Sequence, residues 1–268
     1  MLDKKELSDL IKKYPLLNQC FSKYITWIYE NIKDNYQEFD LIKCLTDREE
    51  FHRLDILEES LKQSQKILGI SEEEFCNKFG FAKRLLTNDP ETIHDILAET
   101  TFVLDLNKNH FYDIQKLPNS IKINKNKIPN SDFIAIFKNH KYAIEIKTIR
   151  IGDVSLLANN NLSVDISKEY WWGKMFLSNA ITKIESKGRK LFDQLNNTCK
   201  YYNCDKRMLV LYIRRLGTSC LMDIKEFHNE FRTLKEKYPI IDCFSVKTYY
   251  GKVYFSCSNP CFTTFKSF

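Results

Sequence analysis

Glycine is scarce in this 268-residue chain, with seven in all, and proline is scarcer still at six. Those glycines form no G-x-G-x-x-G turn, no G-x-x-x-x-G-K-[ST] loop and no G-x-S-x-G elbow. Dinucleotide-binding, P-loop and α/β-hydrolase chemistry built on those motifs is therefore excluded. No Pro/Gly/Ser-rich linker, low-complexity tract or internal repeat is present. The five histidines include no H-E-x-x-H pair, which removes that class of zinc protease. The apolar runs are too short to span a bilayer. Cysteine is not lacking, but its nine copies are scattered without the spacing of a disulfide scaffold. A chain this large does not need one, and no apolar leader follows Met1-Leu2-Asp3-Lys4. These features set the expectation of a reducing, cytoplasmic compartment. Cys257-Ser258-Asn259-Pro260-Cys261, with Cys199 and Cys204, invites a zinc reading, although the spacings do not make a standard pair of knuckles.

What is present is ordinary globular composition, 43% hydrophobic and 28% charged, in a chain long enough to bury a sizeable core. The net charge of +6 and the pI near 8.7 suit a polyanionic partner. Lys122, Lys125 and Lys127 precede the most informative stretch, Lys183, Lys187, Arg189 and Lys190 follow it, and Arg214-Arg215 lie further on.

That stretch runs from Pro129 to Lys147. Asp132 opens the apolar run Phe133–Phe137, and Glu145 and Lys147 close the next, Tyr142–Ile146. Both runs are rich in β-branched and aromatic residues, so they read as two strands of a hairpin around Lys138-Asn139-His140-Lys141. A two-residue tip at Asn139-His140, or a four-residue loop, sets Phe137 opposite Tyr142 and Asp132 opposite Lys147. Side chains alternate along a strand, so either loop puts Asp132, Glu145 and Lys147 on one face. An odd loop sends Asp132 to the other face. Charge in buried strands is costly unless paired or metal-bound. Two carboxylates suit a divalent cation that prefers hard oxygens, and a neighbouring lysine suits charge building up at phosphorus.

Pro129-Asn130-Ser131-Asp132, followed across the hairpin by Glu145-Ile146-Lys147, resembles the PD-(D/E)XK nuclease superfamily. The strict pattern differs in that Asn130 and Ser131 separate the proline from the aspartate. The resemblance covers residues 90 to 215 and implies an α/β, restriction-endonuclease-like fold: a mixed sheet core flanked by helices. It implies a magnesium- or manganese-dependent endonuclease acting on DNA, with RNA left open. Asp132 and Glu145 would hold Mg2+ or Mn2+ together with the backbone carbonyl of Ile146, and Lys147 would position the attacking water. Glu99 on the first helix, with Glu91 in reserve, would be a further acidic ligand. Gln194, with Lys190, would lean in from the second helix. A homodimer is implied because cutting both strands usually takes two sites. A sequence-specific restriction role is the leading subtype.

The surrounding pattern follows the order this fold requires. Asp89-Pro90-Glu91 looks like a helix start, and Ile93, Ile96 and Leu97 share a side of the segment that follows. Phe102-Val103-Leu104 or Phe111-Tyr112 would supply the first strand. Trp171–Tyr202 reads as a long helix with Met175, Ile181, Ile184, Leu191 and Leu195 at helical spacing, and Met208–Ile213 as a buried central strand. Asp223–Lys237 reads as a helix, and Cys243–Tyr249 with Val253–Cys257 as a second hairpin. Residues 1–88 form an N-terminal helical region for recognition, dimerisation or support, with residues 89–268 as the nuclease-like domain. Asp3-Lys4-Lys5-Glu6 and Ser71-Glu72-Glu73-Glu74 resemble capping boxes. Two rival readings are a catalytically inactive nucleic-acid-binding or assembly module with the same fold, and an unrelated α+β protein in which Asp132 and Glu145 lie far apart. In the second, Asp132 merely starts a strand and Glu145 and Lys147 form a solvated strand face.

Overall fold

The computed structural model describes residues 4–20, 52–81, 91–123, 125–149, 170–213, 224–248 and 253–257. The chain divides into two compact units, Met1–His110 and Phe111–Phe268. The sequence expectations at Asp89-Pro90, Arg214-Arg215 and Cys261 lie outside the described residues.

The first unit is helical. It contains α1 (Lys4–Ile11), a helical stretch at 15–20, α2 (His52–Leu68), α3 (Glu72–Phe79) and α4 (Glu91–Lys108). Ser71 caps α3, the first half of the box its sequence indicates: extended at φ −69°, ψ 161°, it accepts the Glu74 N–H at 3.1 Å, while the Glu74 carboxylate pairs with Lys78 at 3.2 Å. Gly80 ends α3 in the left-handed region. A second cap comes from a distant residue. Pro15 opens the 15–20 helix, and the buried Glu58 of α2 accepts the next two N–H groups, Leu16 at 3.1 Å and Leu17 at 2.8 Å. Lys62 pairs with the same carboxylate at 3.0 Å. Leu54 and Leu61, two turns apart on α2, are fully buried. Phe102-Val103-Leu104 lies inside α4, not in a strand, because apolar burial continues at helical spacing through Ile96, Val103 and Leu106. The structure also joins Cys20 to Cys76 in a disulfide, where the sequence pattern indicated free thiols.

The second unit is a mixed α/β fold. Its six-stranded sheet comprises β1 (Tyr112–Lys116), β4 (Phe133–Phe137), β5 (His140–Ile149), β6 (Lys206–Ile213), β7 (Cys243–Thr248) and β8 (Val253–Cys257), in the spatial order β1-β4-β5-β6-β7-β8. A separate two-stranded hairpin, β2 (Ser120–Ile123) and β3 (Asn126–Pro129), sits between β1 and β4 in the chain. The pairs β1/β4, β4/β5 and β7/β8 are antiparallel, whereas β5/β6 and β6/β7 are parallel. Met208, Leu209, Val210 and Leu211 of β6 are fully buried, as expected of a central parallel strand with apolar side chains on both faces.

The crossover between β5 and β6 contains α5 (Tyr170–Tyr202), and α6 (Ile224–Lys237) follows β6. Ala143 and Ile149 of β5, Leu209 and Leu211 of β6, and Phe244 and Val246 of β7 form one core with Ile184, Leu191 and Leu195 of α5 and Leu234 of α6. Since β5 alternates, Glu145 and Lys147 share the face of Ala143 and Ile149, the face that α5 covers. Gly188 interrupts α5 at φ 46°, ψ −135°, conformations that a residue with a Cβ rarely adopts. The helix ends with Asn203 in the left-handed region and the Cys204 N–H bonded to the Cys199 carbonyl at 3.0 Å, a Schellman-type closure.

The β4–β5 turn is Lys138-Asn139, both at positive φ (45° and 63°), as in a type I′ hairpin. Phe137 therefore pairs with His140, not with Tyr142. The register differs by two residues from the one the sequence suggests. Two residues is one pleat period, so every side chain keeps its face. Among the described residues no helix is long and apolar enough to cross a membrane.

Candidate functional site

The segment that delivers Asp132 is held from several directions. The Asn130 N–H donates to the Asn119 carbonyl at 3.1 Å, and the Asn130 side-chain amide donates to the Pro118 carbonyl at 3.2 Å. From α5, Gln194 Nε2 donates to the Asn130 carbonyl at 3.0 Å, and Thr198 Oγ1, one turn further on, accepts the Ser131 N–H at 2.8 Å. The Leu117 N–H closes on the Asp132 carbonyl at 2.9 Å. Few backbone degrees of freedom remain for Asp132.

Ladder geometry then sets the two carboxylates against each other. In a two-residue hairpin the pair flanking the turn exchanges backbone hydrogen bonds, and such pairs alternate with non-hydrogen-bonded ones in which side chains come closest. Counting from Phe137↔His140, the bonded pairs are Ala135↔Tyr142 and Phe133↔Ile144. Continued by one residue, the register sets Asp132 opposite Glu145 at a close position. The next bonded position would pair Ser131 with Ile146. Instead the Ser131 N–H goes to Thr198, and Asp132 Oδ2 accepts the Ile146 N–H at 2.8 Å. The Ile146 carbonyl faces the same edge as its N–H.

Two ammonium groups complete the cluster. Lys147 Nζ donates to Glu145 Oε1. Lys116, at the end of β1, donates to Asp132 Oδ1 at 3.2 Å, and its Nζ lies 4.7 Å from the centre of the Phe133 ring. The Lys116 side chain is only 2% exposed and that of Glu145 1%, while Asp132 and Lys147 each keep 18%. The cluster is thus sealed at Glu145 and Lys116 and open at Asp132 and Lys147.

The electrostatics are unequal across the pair. For Asp132, burial pushes the carboxyl up, but the Lys116 and Lys147 charges and the Ile146 N–H outweigh it and hold the pKa below the ordinary value. For Glu145, burial and then the charge of Asp132 push the carboxyl up to about 8 in spite of Lys147. Glu145 Oε2 is buried and has no hydrogen-bond partner, as are Asn130 Oδ1 and Ser131 Oγ. A protein-only environment therefore leaves one carboxylate oxygen unsatisfied beside a second carboxylate.

A hard divalent cation suits this arrangement. It would supply Glu145 Oε2 with a partner and offset the repulsion between the two acids, and the donors available are oxygens. Among the described residues no group of three or more His, Cys, Asp or Glu side chains gathers, so the protein contributes two acids here. That number fits an ion that keeps several waters.

Of the residues named from sequence, Asp132, Glu145, Ile146 and Lys147 come together. Gln194 reaches the site through the Asn130 carbonyl, as a positioning residue. Lys190 is exposed on α5. Glu99 is buried on α4, and Glu91 opens that helix; both belong to the first unit. Cys199 and Cys204 are free thiols. Lys116 and Thr198 were not anticipated. The β1 segment Tyr112–Lys116 alternates in a way that reads as a solvated strand, and only its pairing with β4 buries Lys116. Searches with the sequence and the fold against protein-family models, curated proteins and solved structures find no match.

Proposed function

We propose that this protein is a metal-dependent DNA endonuclease with a restriction-endonuclease-like core, hydrolysing phosphodiester bonds at the Asp132–Glu145–Lys147 cluster. The observation that carries the reading is the partnerless, buried Glu145 Oε2, close to Asp132 and on the sheet face of Lys147. The strand order and the helical crossover from β5 to a parallel β6 support the same core. Asp132, Glu145 and the Ile146 carbonyl would hold Mg2+ or Mn2+. When bound, such an ion supplies Lewis-acid activation of water and of the phosphoryl oxygens. Lys147, partly exposed at the open side, orients the attacking water and offsets negative charge as it builds on the phosphate. Lys116, on the neighbouring strand β1, holds Asp132 ionised, and Gln194 and Thr198 fix the backbone that delivers it. A restriction-type role, a homodimer able to cut both strands and a cytoplasmic location belong to this proposal. The Cys20–Cys76 disulfide weighs against the last, because such bonds are uncommon in that compartment.

The test is cleavage of supercoiled, linear and single-stranded DNA, and of RNA, with Mg2+ or Mn2+. Wild type is expected to cut at least one DNA form. Asp132→Ala and Lys147→Ala are expected to lose about 100-fold or more in rate with unchanged circular dichroism. No cutting of any DNA with either metal overturns the enzyme reading. A second reading is favoured by the pairing of both carboxylates with lysines: an inactive nucleic-acid-binding or assembly module stabilised by two ion pairs. That module binds nucleic acid with no metal site that depends on Asp132 and Glu145, which Mn2+ titration of the wild type and Glu145→Gln distinguishes.

A further inference from the structure

The β2–β3 hairpin carries charge that its own fold does not neutralise. Ser120 pairs with Pro129, Ile121 with Ile128, Lys122 with Lys127 and Ile123 with Asn126. Two lysines directly opposite one another on one face repel, and an ordinary hairpin places an opposite charge or an apolar pair there. Lys125, in the turn, adds a third ammonium at φ 69°, a conformation better suited to glycine or asparagine. All three lysines are exposed, and among the described residues none has an acidic partner. Ile121 and Ile128 are half-buried on the opposite face, so the hairpin has an apolar side and a basic side.

The hairpin base is also the base of the acidic cluster. β3 ends at Pro129, and Asn130, whose N–H and side chain bond to Asn119 and Pro118, leads through Ser131 to Asp132. At about 3.3 Å per residue, Lys127 stands at most ~17 Å from Asp132 and Lys125 at most ~23 Å, with Lys122 one strand spacing, about 5 Å, across from Lys127. That reach is roughly half a turn of a duplex.

We propose that β2–β3 is a wing that grips a nucleic-acid backbone through Lys122, Lys125 and Lys127, in register with the carboxylates at its base. The phosphodiester chemistry at the base rests on the function proposed above; the wing's grip does not. A row of ammoniums on a braced hairpin matches a polymer of evenly spaced phosphates. Lys125 in the turn and Asn126 beside it are polar, which suits a phosphate backbone better than a lipid interior.

Binding is measured on the full chain in EDTA, where no cutting occurs, with a short DNA duplex, its single strand, the matching RNA and phosphatidylserine-containing vesicles, each across a salt series. Replacing the three lysines by Gln (Lys122→Gln, Lys125→Gln, Lys127→Gln) is expected to shrink the slope of log affinity against log salt on duplex by up to about 2.7. It is expected to weaken binding by up to about 500-fold at ~0.1 M salt. The triple Arg variant is expected to retain wild-type slope, both variants to keep wild-type circular dichroism, and the Gln variant to melt no lower than wild type. Equal binding by wild type and the Gln variant overturns the wing, as does vesicle binding that is tighter than nucleic-acid binding and is lost with the same lysines. Loss of binding in the Gln variant of a protein that cleaves nothing leaves the wing standing and removes the nuclease. Cleavage by a protein whose Gln variant binds as wild type does the reverse.

Discussion

Glu145 is the residue whose surroundings most constrain what the site can do. Its carboxyl titrates near 8 when folded, against an ordinary value of 4.5, because burial and the neighbouring Asp132 disfavour its charge. Between those values the unfolded chain has released a proton that the folded chain still holds. The metal-free fold therefore loses stability as pH rises from about 4.5 to 8, with no further loss from this group above that. Asp132 acts in the opposite sense: its lowered pKa contributes stability above the ordinary carboxylate value that is lost as pH falls through the folded one. In thermal melts across pH 5–9 without metal, Glu145→Gln is expected to abolish most of the decline and to melt above wild type at pH 8. Mn2+ is expected to raise the wild-type melting temperature, with proton release on binding, and to leave Glu145→Gln little changed. A flat wild-type profile rules out this environment for Glu145. The same residue scale shows what a single sequence reveals. Asp132, Glu145 and Lys147 were legible because charge in apolar strands is conspicuous. Lys116 was not, since a lysine closing Tyr-Asp-Ile-Gln-Lys resembles any exposed strand end until β4 covers it.

At the scale of elements, α5 does more than cover the sheet. Gln194 and Thr198, one turn apart, hold the backbone at Asn130 and Ser131, while Leu191 and Leu195 on the same helix enter the core. The helix was legible from Ile181, Ile184, Leu191 and Leu195, but its break was not, because an isolated glycine within a helical pattern more often fits an unbroken helix. Gly188→Ala meets no atom within 4 Å of the added Cβ, so its cost comes from backbone conformation alone. It is expected to lose about 1–3 kcal/mol in urea unfolding. A neutral result places Gly188 in an ordinary helical conformation. The order of strands and helices from β4 to β8 was readable from apolar runs and their lengths. The β1 assignment was ambiguous, because Phe102-Val103-Leu104 has strand composition within a helix.

The molecule as a whole consists of one helical unit and one mixed α/β unit, and both carboxylate–lysine pairs of the acidic cluster lie in the second. The first is tied by long-range links that periodicity does not reveal. Glu58 caps a helix 41 and 42 residues away, and the Cys20–Cys76 bond closes a separation of 56 residues. Neither link has a local signature, since capping by a distant carboxylate and pairing of scattered cysteines depend on how the helices meet. Closing a loop of that length restricts the unfolded chain, so Cys20→Ser is expected to destabilise the first unit by about 2–5 kcal/mol in oxidised protein. Dithiothreitol is expected to bring the first unit of the wild type to the same urea midpoint. A midpoint insensitive to reductant excludes the bond.

The β4–β5 tip also sets a rule for how this chain can vary in length. Lys138-Asn139 leaves Asp132 and Glu145 as neighbours, and a tip lengthened by two residues returns them to one side of the sheet. A slip of the strand pairing by one residue turns one acid away from the other. An insertion at that bend therefore keeps the acids together only where the tip itself takes up the added residue, and an engineer grafting a longer tip there has to keep Phe137 opposite His140.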